Sequence, residues 1–196
     1  MPQRAGARLY SAPMSPRQRL SSDTRREQIL DTALGLFIEQ GFAQVSPREI
    51  AAAIGTSRPN VYTYFPSTEA ILDTLLERLT AQYFAELDRR FAEVKRPDAR
   101  LTFEVLLTQR DLLLLLQSGG GPLFQATRAR VMARMDERTR NTEQLIGAPK
   151  MVLLTRVMLF SVATAILQNP DLDAERLGEL IQQLLEVGFR TEFAQA

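Results

Sequence analysis

This chain of 196 residues has no cysteine and no histidine, the side chains that most often serve as nucleophiles, general bases and zinc ligands. It has no tryptophan either. Without cysteine or histidine, the usual zinc sites, thiolate nucleophiles and Ser-His-Asp triads are excluded. The carboxylate pairs Asp136–Glu137 and Asp171–Asp173 fall on polar faces or in loops and lack a basic or metal partner. We therefore expect no catalytic residue, no metal and no cofactor, and an enzyme is the least favoured class.

Positive charge is concentrated near the N-terminus. Residues 1–68 contain eight arginines and five acids, a net charge of +3, whereas the whole chain has a net charge of +1. Basic residues that neutralise phosphates supply most of the non-specific affinity of proteins for nucleic acid. The distribution therefore fits a nucleic-acid-binding segment, with a chance imbalance as the alternative.

Apolar residues recur at helical spacing through most of the chain, and no segment alternates apolar and polar residues with period two for long. Residues 1–22 are rich in proline, serine and arginine without an apolar face, which predicts a disordered basic tail. Asp23 or Thr24 is expected to cap the first helix, and Gly41 is expected to end it.

Two short helices are predicted between positions 46 and 68. Ser46, Pro47 and Glu49 have the spacing of a capping box with proline in the first turn. Gly55 ends this helix, and Ser57 is expected to cap the next. Two short helices joined by a tight glycine turn are typical of a helix-turn-helix, whose second helix enters the major groove of DNA. Because many helical proteins also contain this spacing, it leaves a purely structural interpretation open.

The remainder predicts a larger helical domain over 69–196. Helices are expected from Ser67 to Phe91, over about 98–117, over 123–146 as one or two helices, over 150–167 and over 173–193. The helix over 150–167 is apolar nearly all round, which favours a dimer interface, with a central core helix as the alternative. A charge at Leu159 is expected to break such a dimer.

No membrane or export segment is recognised. The apolar stretch over 151–167 is too short and too polar for a membrane span. The first twenty residues carry arginines but no apolar core of a signal peptide. We therefore expect a cytoplasmic protein.

The run from Ala51 to Ser67, AAAIGTSRPNVYTYFPS, resembles the signature of the tetracycline-repressor-like (TetR/AcrR) regulators. The preceding Ala33, Phe37, Gly41 and Phe42 look like the first helix of that family, so the resemblance covers about residues 24–80. It implies an all-α fold, with a three-helix DNA-binding domain over 23–68 and a helical ligand-binding and dimerisation domain after it. It also implies a homodimeric repressor that a small molecule releases from a palindromic site in double-stranded DNA.

The resemblance assigns DNA contacts residue by residue. It implies that Arg58 and Asn60 read bases, for which guanine and adenine are suitable partners, and that Pro59 touches a thymine methyl. Further contacts to bases or phosphates are implied at six positions: Ser46, Arg48, Ser57, Tyr62, Tyr64 and Thr68. Thr68 departs from the family, which usually has lysine there, and Arg25, Arg26 or the tail arginines are candidate substitutes.

The resemblance also implies pairing of the helices over about 150–167 and 173–193 with those of a second copy. A ligand pocket is expected within 98–165, with ordinary core or surface as the alternative for each residue. Its candidate lining residues are Phe103, Leu107, Arg110, Phe124, Arg128, Met132, Thr155 and Met158. The competing hypothesis is a helical protein-interaction module without specific DNA binding.

Overall fold

All regular structure in the described part of the chain is helical. The computed structural model describes residues 21–94, 99–146 and 149–194, and their side chains except at 139, 141–152, 189 and 191–194. The predicted tail lies almost entirely outside these residues. The elements are α1 (Ser22–Gln40), a 3-10 turn (Phe42–Gln44), α2 (Pro47–Ala53), α3 (Arg58–Tyr64), α4 (Thr68–Val94), α5 (Ala99–Thr108), α6 (Arg110–Leu115), α7 (Pro122–Ile146), α8 (Pro149–Gln168) and α9 (Ala174–Ala194).

The first helix begins slightly earlier than the sequence indicates. Ser21, and neither Asp23 nor Thr24, is the cap, because its hydroxyl accepts the backbone N–H of Thr24 at 3.1 Å. Asp23 instead lies in the first turn, where the helix dipole favours a carboxylate. The expected end at Gly41 is correct: its N–H donates to the carbonyl of Phe37 at 3.0 Å.

The segment expected to form one helix over 98–117 contains two. Gln109 has non-helical backbone angles, φ −92° and ψ 49°, and separates α5 from α6. The Thr108 hydroxyl donates to the carbonyl of Val105 at 2.7 Å, a local bond that competes with helix continuation. Beyond the glycine-rich loop, α7 runs as a single helix, which decides between the one or two expected there.

The longest helix joins the two parts of the fold. α4 buries one continuous apolar stripe made of Ile71, Leu72, Leu75, Leu76, Leu79, Tyr83 and Leu87. α1, α2 and α3 pack together as an N-terminal three-helix unit. α4 contacts α1 of this unit and also α5, α6 and α7 of the larger unit that follows. All these buried side chains belong to one connected core, so the two parts share it.

A second contact fixes the N-terminal unit against the larger one. The backbone N–H of Phe42 donates to the carbonyl of Ser118 at 2.7 Å. The Phe42 ring packs between those of Phe37 and Phe124, with centroids 5.2 and 5.7 Å away. Gly119 is required here, because a Cβ on it would come within 2.8 Å of the Phe124 ring.

The last two helices each have a buried side and an exposed apolar side. Leu159 and Ala163 of α8 are buried, whereas three other apolar residues of α8 are about half exposed: Leu153, Leu154 and Val157. Leu159 is only 2% exposed, so the expectation that a charge there would act on a dimer is wrong: it would disrupt the core. Among the described helices, none has the length and apolar character to cross a bilayer.

The two glycines with positive φ angles predict a ranking of stability. Gly55 has φ +66° and open space where a Cβ would lie, whereas Gly41 has φ +87° and its Cβ would meet the Ser118 carbonyl at 3.3 Å. We expect Gly55→Ala to lower the free energy of unfolding by about 1–2 kcal/mol, the cost of a left-handed backbone alone. Gly41→Ala should cost more, because its φ of 87° and ψ of 143° lie outside the left-handed helical region and crowding by the Ser118 carbonyl adds to the strain.

Urea unfolding of the two variants beside the wild-type protein checks this ranking. Gly55→Asn is the control, since asparagine tolerates the left-handed region and should retain more stability than alanine. Equal losses for Gly41→Ala and Gly55→Ala would contradict this ranking.

Candidate nucleic-acid interface

Helix α2 begins with a complete capping box, as the sequence predicts. The hydroxyl of Ser46 accepts the N–H of Arg48 at 3.3 Å, and the Glu49 carboxylate accepts the N–H of Ser46 at 2.7 Å. The Ser46 hydroxyl also donates to this carboxylate. These bonds lower the pKa of Glu49, the side-chain bond from Ser46 most and the backbone bond next. Ser46 is thus occupied locally, while Arg48 points outward and is exposed.

The turn between α2 and α3 is closed by two backbone bonds. The N–H of Gly55 donates to the carbonyl of Ala52 at 3.2 Å, and that of Thr56 donates to Ala51 at 2.9 Å. With Gly55 in the left-handed region, this is a Schellman motif. The chain therefore leaves α2 in a defined direction, which sets the angle at which α3 starts.

Ser57 stands at the N-cap position of α3 but its side chain makes no cap bond. The reason lies in the next residues: Pro59 has no N–H, and the N–H of Asn60 already donates to the Ser57 carbonyl at 3.0 Å. The prediction that Ser57 caps α3 with its hydroxyl is therefore wrong. Its side chain is exposed instead.

Helix α3 buries one side and exposes the other. Val61 is buried, as is Phe65 just after the helix, whereas Arg58, Pro59 and Tyr62 are exposed. Packing of Val61 against the core holds α3 on α2, because an apolar side chain of this size gains about 1.5–3 kcal/mol on burial. The exposed side carries an aromatic ring together with a guanidinium and hydroxyls. The guanidinium and the hydroxyls can donate hydrogen bonds to bases and phosphates.

The two polar residues nearest the start of α3 have partners within the N-terminal unit. A guanidinium N–H of Arg58 donates to the hydroxyl of Tyr62 at 3.0 Å, and the guanidinium carbon lies 5.3 Å from the ring centroid. The amide of Asn60 donates to the hydroxyl of Thr56 at 2.7 Å. Thr56 was not among the residues predicted from the sequence. Its position four residues before Asn60 is the signal that could have identified it.

The structure brings most of the predicted DNA-contacting residues to α2, α3 and the turns beside them. Five are exposed: Arg48, Ser57, Arg58, Pro59 and Tyr62. Four are half-buried: Ser46, Asn60, Tyr64 and Thr68. Tyr64 packs against the core. Arg26, a candidate substitute for the missing lysine, lies over the ring of Phe65 at 4.8 Å. These placements are compatible with DNA contact and leave each assignment a prediction.

The predicted ligand-pocket residues differ in burial, and their grouping into one pocket stays a prediction. Phe103 and Phe124 are both buried, Phe103 against Gly178 of α9 and Phe124 against Phe42. Arg110 and Arg128 are exposed. The other four are half-buried: Leu107, Met132, Thr155 and Met158. An open groove of about 590 Å³ between α4 and α7 is lined by none of the eight.

Comparison with known proteins identifies the N-terminal unit. Residues 29–75 match the family described as bacterial regulatory proteins, tetR family. The match covers the N-terminal part of the chain, and there this chain is similar to the tetR family. The matched residues include α2, α3 and the start of α4, and the resemblance read from the sequence is confirmed.

Two curated relatives each match less than half of the chain. The HTH-type transcriptional regulator EthR of Mycobacterium tuberculosis is 45% identical over 64 residues, which are 33% of this chain and 30% of that protein. The HTH-type transcriptional repressor KstR2 of Rhodococcus jostii is 33% identical over 84 residues, which are 43% of this chain and 40% of that protein. The chain thus spans less than half the length of these relatives.

A solved structure extends the likeness of fold to most of the chain. A TetR-like transcriptional regulator from a Rhodococcus species superposes with a TM-score of 0.70 at 20% identity, over 88% of this chain and 99% of that one. The all-α fold with an N-terminal helix-turn-helix is therefore confirmed.

The capping box of α2 predicts a pH-dependent effect of one substitution. Ser46→Ala should raise the pKa of Glu49 toward its ordinary value, because it removes the largest cause of the lowering. Since the pKa of Glu49 is lowered in the folded protein, its contribution to stability is present above the unfolded pKa and is lost as pH falls through the folded pKa. The stability difference between wild type and Ser46→Ala should therefore shrink in acid.

An NMR titration of the Glu49 carboxyl, with thermal unfolding at each pH, checks this expectation. Ser57→Ala is the matched control, because the Ser57 side chain makes no cap bond and its loss should leave the pKa of Glu49 unchanged. A Glu49 pKa that did not respond to Ser46→Ala would refute the capping-box assignment.

Proposed function

We propose that this protein is a sequence-specific DNA-binding transcriptional regulator, acting as a repressor. The observation that supports this most directly is the exposed side of α3. There Arg58, Pro59 and Tyr62 project outward from a helix that Val61 anchors to a capped and tightly turned α2. A rigid helix with outward polar side chains is what major-groove reading requires. The names of KstR2 and EthR, a repressor and a regulator, support the same role.

We further propose that the protein works as a homodimer through α8 and α9. The exposed apolar side of α8 has a counterpart on α9, where Leu180 is 39% exposed and Leu184 and Val187 are each 63% exposed. Contiguous exposed leucines and valines on two neighbouring helices are unfavourable in water unless a second surface covers them. A second copy of the same pair of helices supplies a complementary apolar surface by twofold symmetry.

The dimer would also set the geometry of DNA binding. Two copies of α3 enter successive major grooves only when held about 34–36 Å apart, or at a spacing that suits the operator. We propose that a small molecule bound within the larger domain changes this spacing and releases the DNA. It needs to favour one dimer shape over the other by about 1–3 kcal/mol. α4 is the proposed route, because it contacts α1 as well as α5, α6 and α7.

The DNA-reading role predicts a loss of sequence discrimination in Arg58→Ala. If Arg58 reads a base edge, the variant should bind the selected operator about 1–3 kcal/mol more weakly and random DNA with a smaller loss. The operator is first obtained by selecting bound fragments from random DNA, and affinities are then measured at one fixed salt concentration.

Arg100→Ala is the control, since Arg100 is an exposed arginine of α5 paired with Glu104 at 3.1 Å. Its loss should leave operator affinity unchanged. Equal losses of Arg58→Ala on operator and random DNA would make Arg58 a phosphate contact. A wild-type protein that enriches no sequence would support the alternative, an interaction module.

The dimer predicts a separate result for Leu184→Glu. Leu184 is highly exposed on α9, so a charge there leaves the core of each protomer intact but must be buried without a partner in a dimer. We expect a folded monomer by sedimentation and loss of operator binding in the same sample. Leu123→Glu, a charge at an exposed leucine of α7, is the control and should remain dimeric. A monomeric Leu184→Glu that kept full operator affinity would refute the spacing mechanism.

A further inference from the structure

The two candidate base readers of α3 are each tied to a neighbour four residues away. Arg58 donates to the Tyr62 hydroxyl at 3.0 Å while its guanidinium lies over the Tyr62 ring. Asn60 donates to the Thr56 hydroxyl at 2.7 Å. Each of these two side chains therefore uses one polar atom in a hydrogen bond within the protein. That bond restricts the directions in which its other polar atoms can point.

We propose that Tyr62 and Thr56 are positioning residues, which hold Arg58 and Asn60 in base-reading orientation before DNA binds. The inference rests on the proposed function, because it concerns how the same surface chooses its sequence. Tyr62 would then orient Arg58 in addition to any contact with a phosphate. Thr56 would join the residues that determine specificity.

The bond to Tyr62 leaves Arg58 able to read guanine. A guanidinium has five N–H groups, and paired bonds to the two guanine acceptors use two of them. One N–H of Arg58 is committed to Tyr62, so four remain. An exposed arginine otherwise loses considerable rotamer freedom when it binds, and a side chain already held in place loses less. The Tyr62 ring is at the surface, 39% exposed, so it holds Arg58 where DNA would lie.

The bond to Thr56 similarly leaves Asn60 able to read adenine. An amide has two N–H donors and one carbonyl acceptor, and adenine requires the acceptor and one donor. Thr56 accepts the other donor, so the carbonyl and one N–H of the amide remain for the base. The backbone of Thr56 is itself held, because its N–H donates to the carbonyl of Ala51 in the turn after α2. The orientation of Asn60 is thus set from α2 and the turn.

Positioning and phosphate binding predict different patterns of loss. A lost phosphate contact weakens binding to all sequences by the same factor, because phosphates carry no sequence information. A lost positioning contact weakens discrimination at one base step, because the reader can then turn toward other bases. The two are separated by affinities for the selected operator and for each of its single-base variants.

The first test compares Tyr62→Phe with wild type, in the presence and absence of Arg58. Phenylalanine retains the ring and removes the hydroxyl, so we expect discrimination at the step read by Arg58 to fall about 3- to 10-fold, the effect of one hydrogen bond. In the Arg58→Ala background, Tyr62→Phe should produce no further loss of discrimination. A loss equal across all operator variants, or a loss of discrimination that persists without Arg58, would overturn the positioning role of Tyr62.

The second test compares Thr56→Val, which removes the hydroxyl at similar volume, with Thr56→Ser, which retains it. We expect Thr56→Val to relax the preference at the step read by Asn60 and Thr56→Ser to preserve it, with both variants folded by circular dichroism. Discrimination unchanged in Thr56→Val, or lost equally in Thr56→Ser, would overturn the role of the hydroxyl. If wild type enriches no sequence from random DNA, the proposed function fails and this inference with it. If wild type enriches an operator but the variants lose affinity equally for all operator sequences, the positioning role is refuted and the proposed function stands.

Discussion

The apolar stripe of α4 is the interaction on which the rest of the structure depends. Its buried side chains run without interruption from Ile71 to Leu87, and they belong to the same core as Ile29 and Val61 of the N-terminal unit. Each fully buried leucine or isoleucine contributes about 1.5–3 kcal/mol. Because the two parts of the fold share one stripe, the N-terminal unit cannot move freely on a flexible linker. Its orientation follows that of α4.

Exposed ion pairs flank this stripe and contribute much less. Arg130 and Arg134 of α7 pair with Asp73 and Glu77 of α4 at 2.8 and 2.5 Å, but all four side chains are more than a third exposed. Such pairs are worth about 0–1 kcal/mol each, so burial of the stripe dominates. Arg78 is less exposed, at 25%, and bridges from α4 to two acids of α1. Burial of the apolar stripe therefore supplies most of the free energy that holds α4 in place, and the ion pairs add little to it.

Local sequence signals predicted those features whose partners lie within a few residues. Ser46 and Glu49 form the capping box because both partners belong to one helical turn. The same reasoning failed for Ser57, because Pro59 removes one of the two N–H donors that a capping side chain can use and the N–H of Asn60 donates to the Ser57 carbonyl instead. It also missed the break at Gln109, where a Thr108 side-chain bond and the packing of α6 replace a continuous helix. The hydrogen bond between Thr56 and Asn60 could have been predicted, because side chains four residues apart on a helix are neighbours.

What the sequence could not predict is which side of a uniformly apolar helix faces the core. On α8, Leu159 and Val157 are indistinguishable by hydrophobicity, yet one is 2% exposed and the other 52%. The difference arises from how α8 packs on α5, α7 and α9, contacts that join residues far apart in the chain. The same limit applies to the pocket candidates, because Phe103 and Phe124 are equally apolar but pack against different partners, Gly178 of α9 and Phe42 of the 3-10 turn. Periodicity indicates that a helix has an apolar surface, and tertiary packing decides which of its side chains are buried and against what.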